Sequence, residues 1–193
     1  VLALFQQWCG INVIFLYAEE VFAAAGYEVS DMLFNVMITG SVNLVFTLLA
    51  LSLVDRIGRK KLMLTGSAGL AIIYTVVGTL YFTGSKGLPL LILIVAAIAC
   101  YAMTLAPVTW VVLSEIFPNR VRGKAMAMAT FSLWSGNALL AYFFPIINSK
   151  VNASGSFWIF AFICVAGFLF IKSRLIETKG LTLEEIEKDL VKT

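Results

Sequence analysis

The side chains of this sequence that are suited to binding chemistry are neutral amides placed inside long apolar runs. They are Gln6, Gln7, Asn12, Asn43 and Asn137. An amide both donates and accepts hydrogen bonds, and inside a membrane it must find a partner or line a water-filled cavity. The hydroxyl groups of a sugar have the same double capacity. The amides therefore indicate contacts to a neutral, hydroxyl-rich solute, and the alternative is that they join helices to one another.

Two tryptophans and a proline stand near these amides. Trp134 precedes Asn137 by three residues, so a helix places both on one face. Pro107 is expected to break the fourth apolar run just before Trp110 and to re-aim that indole. An indole face can pack on the C–H face of a sugar ring. The alternative is that these tryptophans mark the membrane interface.

Gly10 lies between the amides of the first run. Gln6 and Asn12 would stand ~120° apart around an ideal helix. Both reach one site only if the helix is distorted near Gly10, as the interrupted helices of transporters are.

Residue types that most enzymes need are missing. The chain has no His, which removes the commonest general base and the His-containing zinc sites. Its three cysteines, Cys9, Cys100 and Cys164, lie inside apolar runs without metal-like spacing. An intramembrane enzyme would need a nucleophile with a base, paired aspartates or a metal cluster at membrane depth. We therefore expect no enzymatic activity, no metal and no cofactor.

The elements that must position these side chains are membrane helices. Of the 193 residues, 61% are hydrophobic and only 13% are charged, and the mean hydropathy is +0.96. Both fractions lie far from those of soluble domains. Gly, Pro and charges divide the chain into six apolar blocks that are long enough, or nearly so, to cross a bilayer as helices. The blocks are Val1–Gly26, Met32–Val54, Leu62–Thr83, Leu88–Phe117, Ala125–Ile147 and Phe157–Ile171. The sequence therefore predicts an all-α membrane protein, a six-helix bundle.

The orientation of the bundle follows from its loop charges. The loops after the second and fourth blocks contain the cations Arg56, Arg59, Lys60, Lys61, Arg120, Arg122 and Lys124. The opposite loops contain Glu28, Asp31, Lys86 and Lys150. Because positive loops face the cytoplasm, both ends of the chain should lie inside.

The chain divides into two parts by composition. Residues 1–173 form the membrane part, and 174–193 form a short cytoplasmic tail in which Leu183, Ile186 and Leu190 have helical spacing. The net charge of +3 comes from loop cations. We therefore expect contact with a lipid bilayer and none with nucleic acid.

Six ordered motifs resemble those of the sugar porter family of the major facilitator superfamily. They are Gln6-Gln7-Trp8-Cys9-Gly10-Ile11-Asn12, Asp55-Arg56-Ile57-Gly58-Arg59-Lys60, Pro107-Val108-Thr109-Trp110, Ser114-Glu115-Ile116-Phe117-Pro118, Arg122-Gly123-Lys124 and Glu177-Thr178-Lys179-Gly180. The likeness covers essentially the whole chain and is strongest to the C-terminal half of bacterial sugar–proton symporters. It implies a half of a twelve-helix fold, spans seven to twelve, that works with a missing N-terminal six-helix half.

The resemblance also implies roles for individual residues. Gln6, Gln7 and Asn12 would bind sugar hydroxyls, and Trp110 and Trp134 would stack on or close over the ring. Asn43 and Asn137 match positions that contribute amides in some members. Tyr17 matches an aromatic residue of the outer gate, and Pro107 is assigned to the gate with it. Leu133 stands where sugar-binding relatives usually have Gln or Asn, which implies one missing hydroxyl contact.

Four further residues match a cytoplasmic charge network that holds the two halves together when such a transporter faces outward. They are Asp55, Arg59, Glu115 and Arg122.

The implied function is transport of a pentose or hexose through the cell membrane (the inner or plasma membrane) by alternating access, with protons as co-substrate. A facilitative uniporter and a membrane sugar sensor are the alternatives. The proton-coupling carboxylate of the family lies in its first helix, outside this sequence, so the motifs do not separate symport from uniport.

Overall fold

Eight α-helices form the regular structure of the computed structural model, which describes residues 1–24, 29–118 and 121–180. The helices are α1 (Leu2–Trp8), α2 (Ile11–Leu16), α3 (Ala18–Ala24), α4 (Val29–Ile57), α5 (Arg59–Phe82), α6 (Leu88–Met103), α7 (Leu105–Glu115) and α8 (Arg122–Arg174). They correspond to the six predicted blocks. The first block forms α1, α2 and α3, the second forms α4, the third forms α5, the fourth forms α6 and α7, and the last two blocks lie within α8. Glu28, Arg120 and the predicted tail helix of 181–193 lie outside the described residues.

Four stretches are long and apolar enough to cross a membrane as helices. They are Val36–Ile57, Arg59–Phe82, Leu88–Glu115 and Arg122–Arg174. The first block is missing from this group because its helices α1, α2 and α3 have only six or seven residues each.

The first block is interrupted twice. Gly10 has a φ of +92°, in the left-handed region that glycine enters without steric cost, and it separates α1 from α2. The predicted distortion near Gly10 is therefore confirmed. A second interruption, which the sequence did not predict, falls at Tyr17 between α2 and α3.

The fourth block breaks at Thr104, which has a φ of −125° and a ψ of −76°. Pro107 itself lies in the first turn of α7, so the prediction that the break falls at Pro107 is wrong by three residues. The reason is that a proline ring clashes with the carbonyl four residues earlier, here that of Met103, and lacks the N–H that would bond to it. The first turn of a helix tolerates proline because its N–H groups have no intrahelical partner.

Helix α8 is two membrane passes joined at Asn152. Its 53 residues would extend ~80 Å as one straight helix, against ~30 Å of hydrocarbon. Asn152 has a φ of 59° and a ψ of 178°, which no helical residue adopts. The rings of Phe144 and Phe160 lie 6.3 Å apart, so the segments before and after Asn152 lie side by side.

The core of the bundle lies where α5 packs against α8 and against α6. Tyr74 of α5 is fully buried, and its ring lies 5.7 Å from that of Phe157 and 6.3 Å from that of Phe160. Helix α4, by contrast, exposes most of its described side chains. Such an apolar and exposed helix is suited to contact with lipid or with another protein surface.

Candidate functional site

The break in the first pass brings its amides against the fourth pass. Gln6 is 3% exposed, and its Nε2 donates a hydrogen bond to the carbonyl oxygen of Ala106, 3.1 Å away. Ala106 precedes Pro107 in the first turn of α7. The other polar atom of the side chain, Oε1, is buried and has no hydrogen-bond partner among the described residues. One acceptor of Gln6 is therefore unpaired within the described residues.

Gln7 and Asn12 pair with each other across the break at Gly10. Asn12 Nδ2 donates a hydrogen bond to Gln7 Oε1. A continuous helix would turn these side chains apart, so the pair depends on the left-handed conformation of Gly10. Because each amide satisfies only one group of the other, the remaining polar atoms of the pair can bond to a ligand.

An amide on α8 also has a polar atom without a hydrogen-bond partner among the described residues. Asn137 is half-buried, and its Oδ1 has no hydrogen-bond partner within the ranges that the structure describes. Buried polar atoms in native proteins are nearly always hydrogen-bonded to protein or water. Gln6 Oε1 and Asn137 Oδ1 are thus two acceptors suited to hydroxyl donors.

The indole side chains are on open surfaces. Trp134 is 61% exposed and Trp110 is 37% exposed. Asn43 is half-buried on α4. In the part of the chain that the structure describes, none of these three forms a hydrogen bond with the amides of the first pass. Among the described residues, the structure therefore bonds Gln6 to α7 and Gln7 to Asn12, and no such bond links Asn43, Trp110 or Trp134 to them.

Tyr17 anchors the second interruption of the first pass. Its hydroxyl donates a hydrogen bond to the carbonyl oxygen of Ala141, 2.6 Å away, and its ring lies 4.9 Å from that of Phe144. The junction of α2 and α3 is thereby held against the first pass of α8.

Three of the four predicted network residues form ion pairs at the other end of the bundle. Arg59 Nη2 lies 2.9 Å from Glu115 Oε1 and 3.0 Å from Asp55 Oδ1. Arg122 is not part of these pairs: its Nε donates to the carbonyl oxygen of Phe117, 3.2 Å away, and its buried Nη2 has no partner in the described ranges. The bond of Arg122 within the described ranges is thus to a carbonyl of its own loop, and its place in the network stays a prediction.

The tail contributes contacts that sequence reasoning missed. Glu177 accepts hydrogen bonds from the backbone nitrogens of Arg59 (2.8 Å) and Lys60 (3.2 Å). Thr178 Oγ1 donates to Glu115 Oε2, 2.5 Å away. Both residues belong to the motif Glu177-Thr178-Lys179-Gly180 of the sequence, but no contact was predicted for that motif. We use the name "α5 charge network" below for Asp55, Arg59, Glu115, Glu177 and Thr178.

Leu133 does not lie in an open site. It is 1% exposed and packs in an apolar cluster with Ala3 and Leu113. This burial favours a packing role for Leu133 against α1 and α7, and the missing hydroxyl contact at this position stays a prediction. Among the described residues, no group of three His, Cys, Asp or Glu could hold a metal ion.

Comparison with known families and proteins gives a consistent picture. The family model described as "Sugar (and other) transporter" matches residues 1–190. The arabinose-proton symporter of Bacillus subtilis (strain 168) is 40% identical over 192 residues, which cover 99% of this chain and 41% of that protein. The D-xylose-proton symporter of Escherichia coli (strain K12) is 40% identical over 192 residues, covering 96% and 39%. The glucose facilitated diffusion protein of Zymomonas mobilis is 36% identical over 192 residues, covering 96% and 41%.

Solved structures agree. The proton:xylose symporter XylE, bound to 6-bromo-6-deoxy-D-glucose, superposes with a TM-score of 0.89 at 41% sequence identity, covering 98% of this chain and 41% of that one. An inward-open conformation of XylE from E. coli gives a TM-score of 0.86 at 40% identity, covering 97% and 39%. The chain thus spans about two fifths of the length of the curated relatives that it matches.

Proposed function

The chain belongs to the sugar transporter family of the major facilitator superfamily, and we propose that the protein moves a monosaccharide across a membrane by alternating access. It is an integral membrane protein with the all-α fold of half a major facilitator transporter. The observation that carries the proposal is the broken first pass, where Gln6 keeps a buried acceptor free and Gln7 pairs with Asn12. Helix breaks at membrane depth are where transporters of this kind bind their substrates.

We propose a pentose or hexose as the substrate. Two similar proteins are named for arabinose and xylose, and a third for glucose. In this assignment Gln6, Gln7, Asn12, Asn43 and Asn137 contact hydroxyls, while Trp110 and Trp134 pack on the ring or close over it. Tyr17 and Pro107 belong to the gate. The hydrogen bond from Tyr17 to Ala141 supports its part of this assignment, because it ties the first pass to α8.

We propose that transport is coupled to protons. The relatives at 40% identity are named as proton symporters. The carboxylates that the structure pairs, Asp55 and Glu115, are bonded to Arg59 in the α5 charge network. The family resemblance implies that the coupling carboxylate lies in the N-terminal half that the relatives possess. Facilitated diffusion is the second candidate, favoured by the 36% identity to a glucose facilitator.

The proposed topology places residues 1–173 in the cell membrane as the C-terminal six-helix half, with 174–193 as a cytoplasmic tail. Arg56, Arg59, Lys60 and Lys61 lie at the junction of α4 and α5, and the tail contacts that same junction. A positive junction of this kind favours the cytoplasmic side.

Transport by the full-length parent in proteoliposomes tests the proposal. Gln6→Ala and Asn12→Ala should each reduce monosaccharide uptake, by roughly 5- to 100-fold if one buried hydroxyl loses its partner. Asn148→Ala is the matched control, because the Asn148 amide lies near the Asn152 turn and bonds to Ser156 (3.1 Å). Unchanged uptake in both site variants, at equal expression, would remove these amides from the site. Accumulation above equilibrium only under a proton gradient would select symport over facilitated diffusion.

A further inference from the structure

Trp8 joins the broken first pass to α8 at one position. It is the last residue of α1, and its indole Nε1 donates a hydrogen bond to the carbonyl oxygen of Gly136, 3.0 Å away. The bond connects residues that are 128 positions apart in the chain. Trp8 directly follows Gln6 and Gln7, and Gly136 directly precedes Asn137. The bond therefore spans the two elements that carry the buried amides.

The backbone of α8 comes close to α1 at this point because Gly136 has no side chain. A β-carbon at Gly136 would stand 2.7 Å from Leu4 Cδ2 and 3.4 Å from Trp8 Nε1. Gly136 is helical and has no positive φ, so it is not needed for its conformation. A helical glycine without such a need is less stable than alanine by about 1 kcal/mol. Gly136 therefore allows α1 to approach α8 closely.

The contact needs an indole in particular. Apolar packing between Leu4 and Gly136 has no preferred direction. Two other contacts of this segment with α8, Phe5 against Gly167 and the Cys164 thiol to the Cys9 carbonyl oxygen at 3.7 Å, lie on the second pass and not beside Asn137. A hydrogen bond from a rigid ring has a defined length and angle, and it fixes one residue of α1 to one carbonyl of α8. Because the indole N–H can only donate, it bonds to a carbonyl oxygen. The bond to the carbonyl of Gly136 therefore sets the register of α1 along the first pass of α8.

We propose that Trp8 is a positioning residue of the substrate site, which holds the Gln7–Asn12 pair at the level of Asn137 through its bond to Gly136. This inference rests on the proposed function for its consequence in transport. Without the bond, the amides on α1 and α8 remain present but lose their relative placement. The site then binds its substrate more weakly, while the other contacts of the helices still support the transport cycle.

Trp8→Phe in the full-length parent is the sharpest variant, since it keeps an aromatic ring and removes the donor. We expect KM for the transported monosaccharide to rise about three- to tenfold, the range for one lost hydrogen bond, with little change in the maximal rate. Trp158→Phe is the matched control, because Trp158 is 41% exposed and Trp8 is 39% exposed. Trp158 lies on the second pass of α8, and its ring is 5.7 Å from that of Phe82 of α5. A Trp8→Phe protein with the KM of the wild type would overturn the inference.

A second measurement does not depend on transport. Cys9 follows Trp8, is fully buried, and its thiol donates to the carbonyl oxygen of Gln6 at 3.0 Å. If Trp8 fixes the end of α1, Trp8→Phe should make Cys9 react several-fold faster with a membrane-permeant maleimide, followed by mass spectrometry, and Trp158→Phe should not. Equal rates in wild type and Trp8→Phe would reject the positioning role. A wild type that transports no monosaccharide would instead reject the proposed function, and the Cys9 rates would still decide on Trp8.

Discussion

The carboxylate of Glu177, which follows the last membrane pass, lies at the first turn of α5, with Oε1 2.8 Å from the backbone nitrogen of Arg59. Its Oε2 accepts from the nitrogen of Lys60 at 3.2 Å. The first N–H groups of a helix have no intrahelical acceptor, and Gly58, the residue before α5, has no side chain to supply one. A residue 118 positions away in the chain therefore caps α5. The carboxylate also carries the charge that a helix N-terminus favours.

Glu177→Ala is expected to destabilise the protein by about 1–2 kcal/mol, because it removes both cap acceptors. Glu177→Gln keeps an oxygen acceptor and should have a smaller effect. Thermal unfolding of the purified protein in detergent measures both. Asp55→Ala is the control, since the Asp55 side chain is 78% exposed and pairs with the same Arg59, and an exposed pair contributes about 0–1 kcal/mol. Equal losses for Glu177→Ala and Asp55→Ala would contradict the capping role.

Within the α5 charge network, Glu115 connects α5 to the tail. Its two oxygens bond to Arg59 of α5 and to Thr178 of the tail. We expect Glu115→Gln to weaken this end and to shift the carrier toward the state open to the cytoplasm. Arg122→Ala should do less, because Arg122 bonds to a loop carbonyl and not to a carboxylate.

Labelling of a cysteine introduced by Ala138→Cys, one turn beyond Trp134 on α8, measures this shift from the outer side of the membrane. Glu115→Gln should slow the labelling, and Arg122→Ala should leave it closer to the rate of the parent. Faster labelling in Glu115→Gln would show that the network acts in the opposite direction.

Local features of the sequence were sufficient to predict the six passes and the break at Gly10. Hydropathy reports span length directly, and a glycine between two amides is a local signal because its conformational freedom does not depend on distant residues. The break at Thr104 was predicted only approximately. The proline ring clashes with the carbonyl four residues earlier, so the helix breaks before the proline and not at it.

Features that depend on distant neighbours were not predicted. Tyr17 has no turn-forming side chain, and its interruption of the first pass goes with bonds to α8. The surroundings of Leu133 are set by Ala3 and Leu113, from two other helices. Likewise, the bond of Arg122 to the carbonyl oxygen of Phe117 depends on the conformation of the loop, which the motif does not specify. A motif shows which residue types are present, but not which of them meet.

Gly10→Ala should impair folding and transport together. A β-carbon at Gly10 would stand 2.5 Å from Phe160 Cγ, and the φ of +92° is unfavourable for alanine by about 1–2 kcal/mol. Since the Gln7–Asn12 pair depends on this conformation, uptake should fall with stability. Gly40→Ala is the control, because no atom lies within 4 Å of a β-carbon there. Wild-type uptake and Tm in Gly10→Ala would mean that the break does not need glycine.

Leu133→Gln tests the environment of the residue before Trp134. The structure buries Leu133 in an apolar cluster, so an amide there would lose water without gaining a partner, at about 1–3 kcal/mol. We therefore expect a lower Tm and unchanged discrimination among deoxy sugars. Ser132→Gln is the matched neighbour, since Ser132 is only half-buried. Sharper discrimination by Leu133→Gln with an unchanged Tm would place this side chain in the site after all.

Phe5 and Gly167 should show strong coupling, because the ring of Phe5 on α1 occupies the space that a side chain at Gly167 of α8 would need. A β-carbon at Gly167 would stand 2.0 Å from Phe5 Cε2 and 2.3 Å from Cζ. Gly167→Ala alone should destabilise the protein by about 1–3 kcal/mol through overpacking, and Phe5→Ala alone by about 3–5 kcal/mol through the cavity it leaves. In the double variant the new methyl group enters the space vacated by the ring. The overpacking disappears and part of the cavity is filled, so the double variant should be more stable than the sum of the single effects predicts. Unfolding of all four proteins under one condition measures the coupling, and additive losses would mean that α1 and α8 do not meet through these two residues.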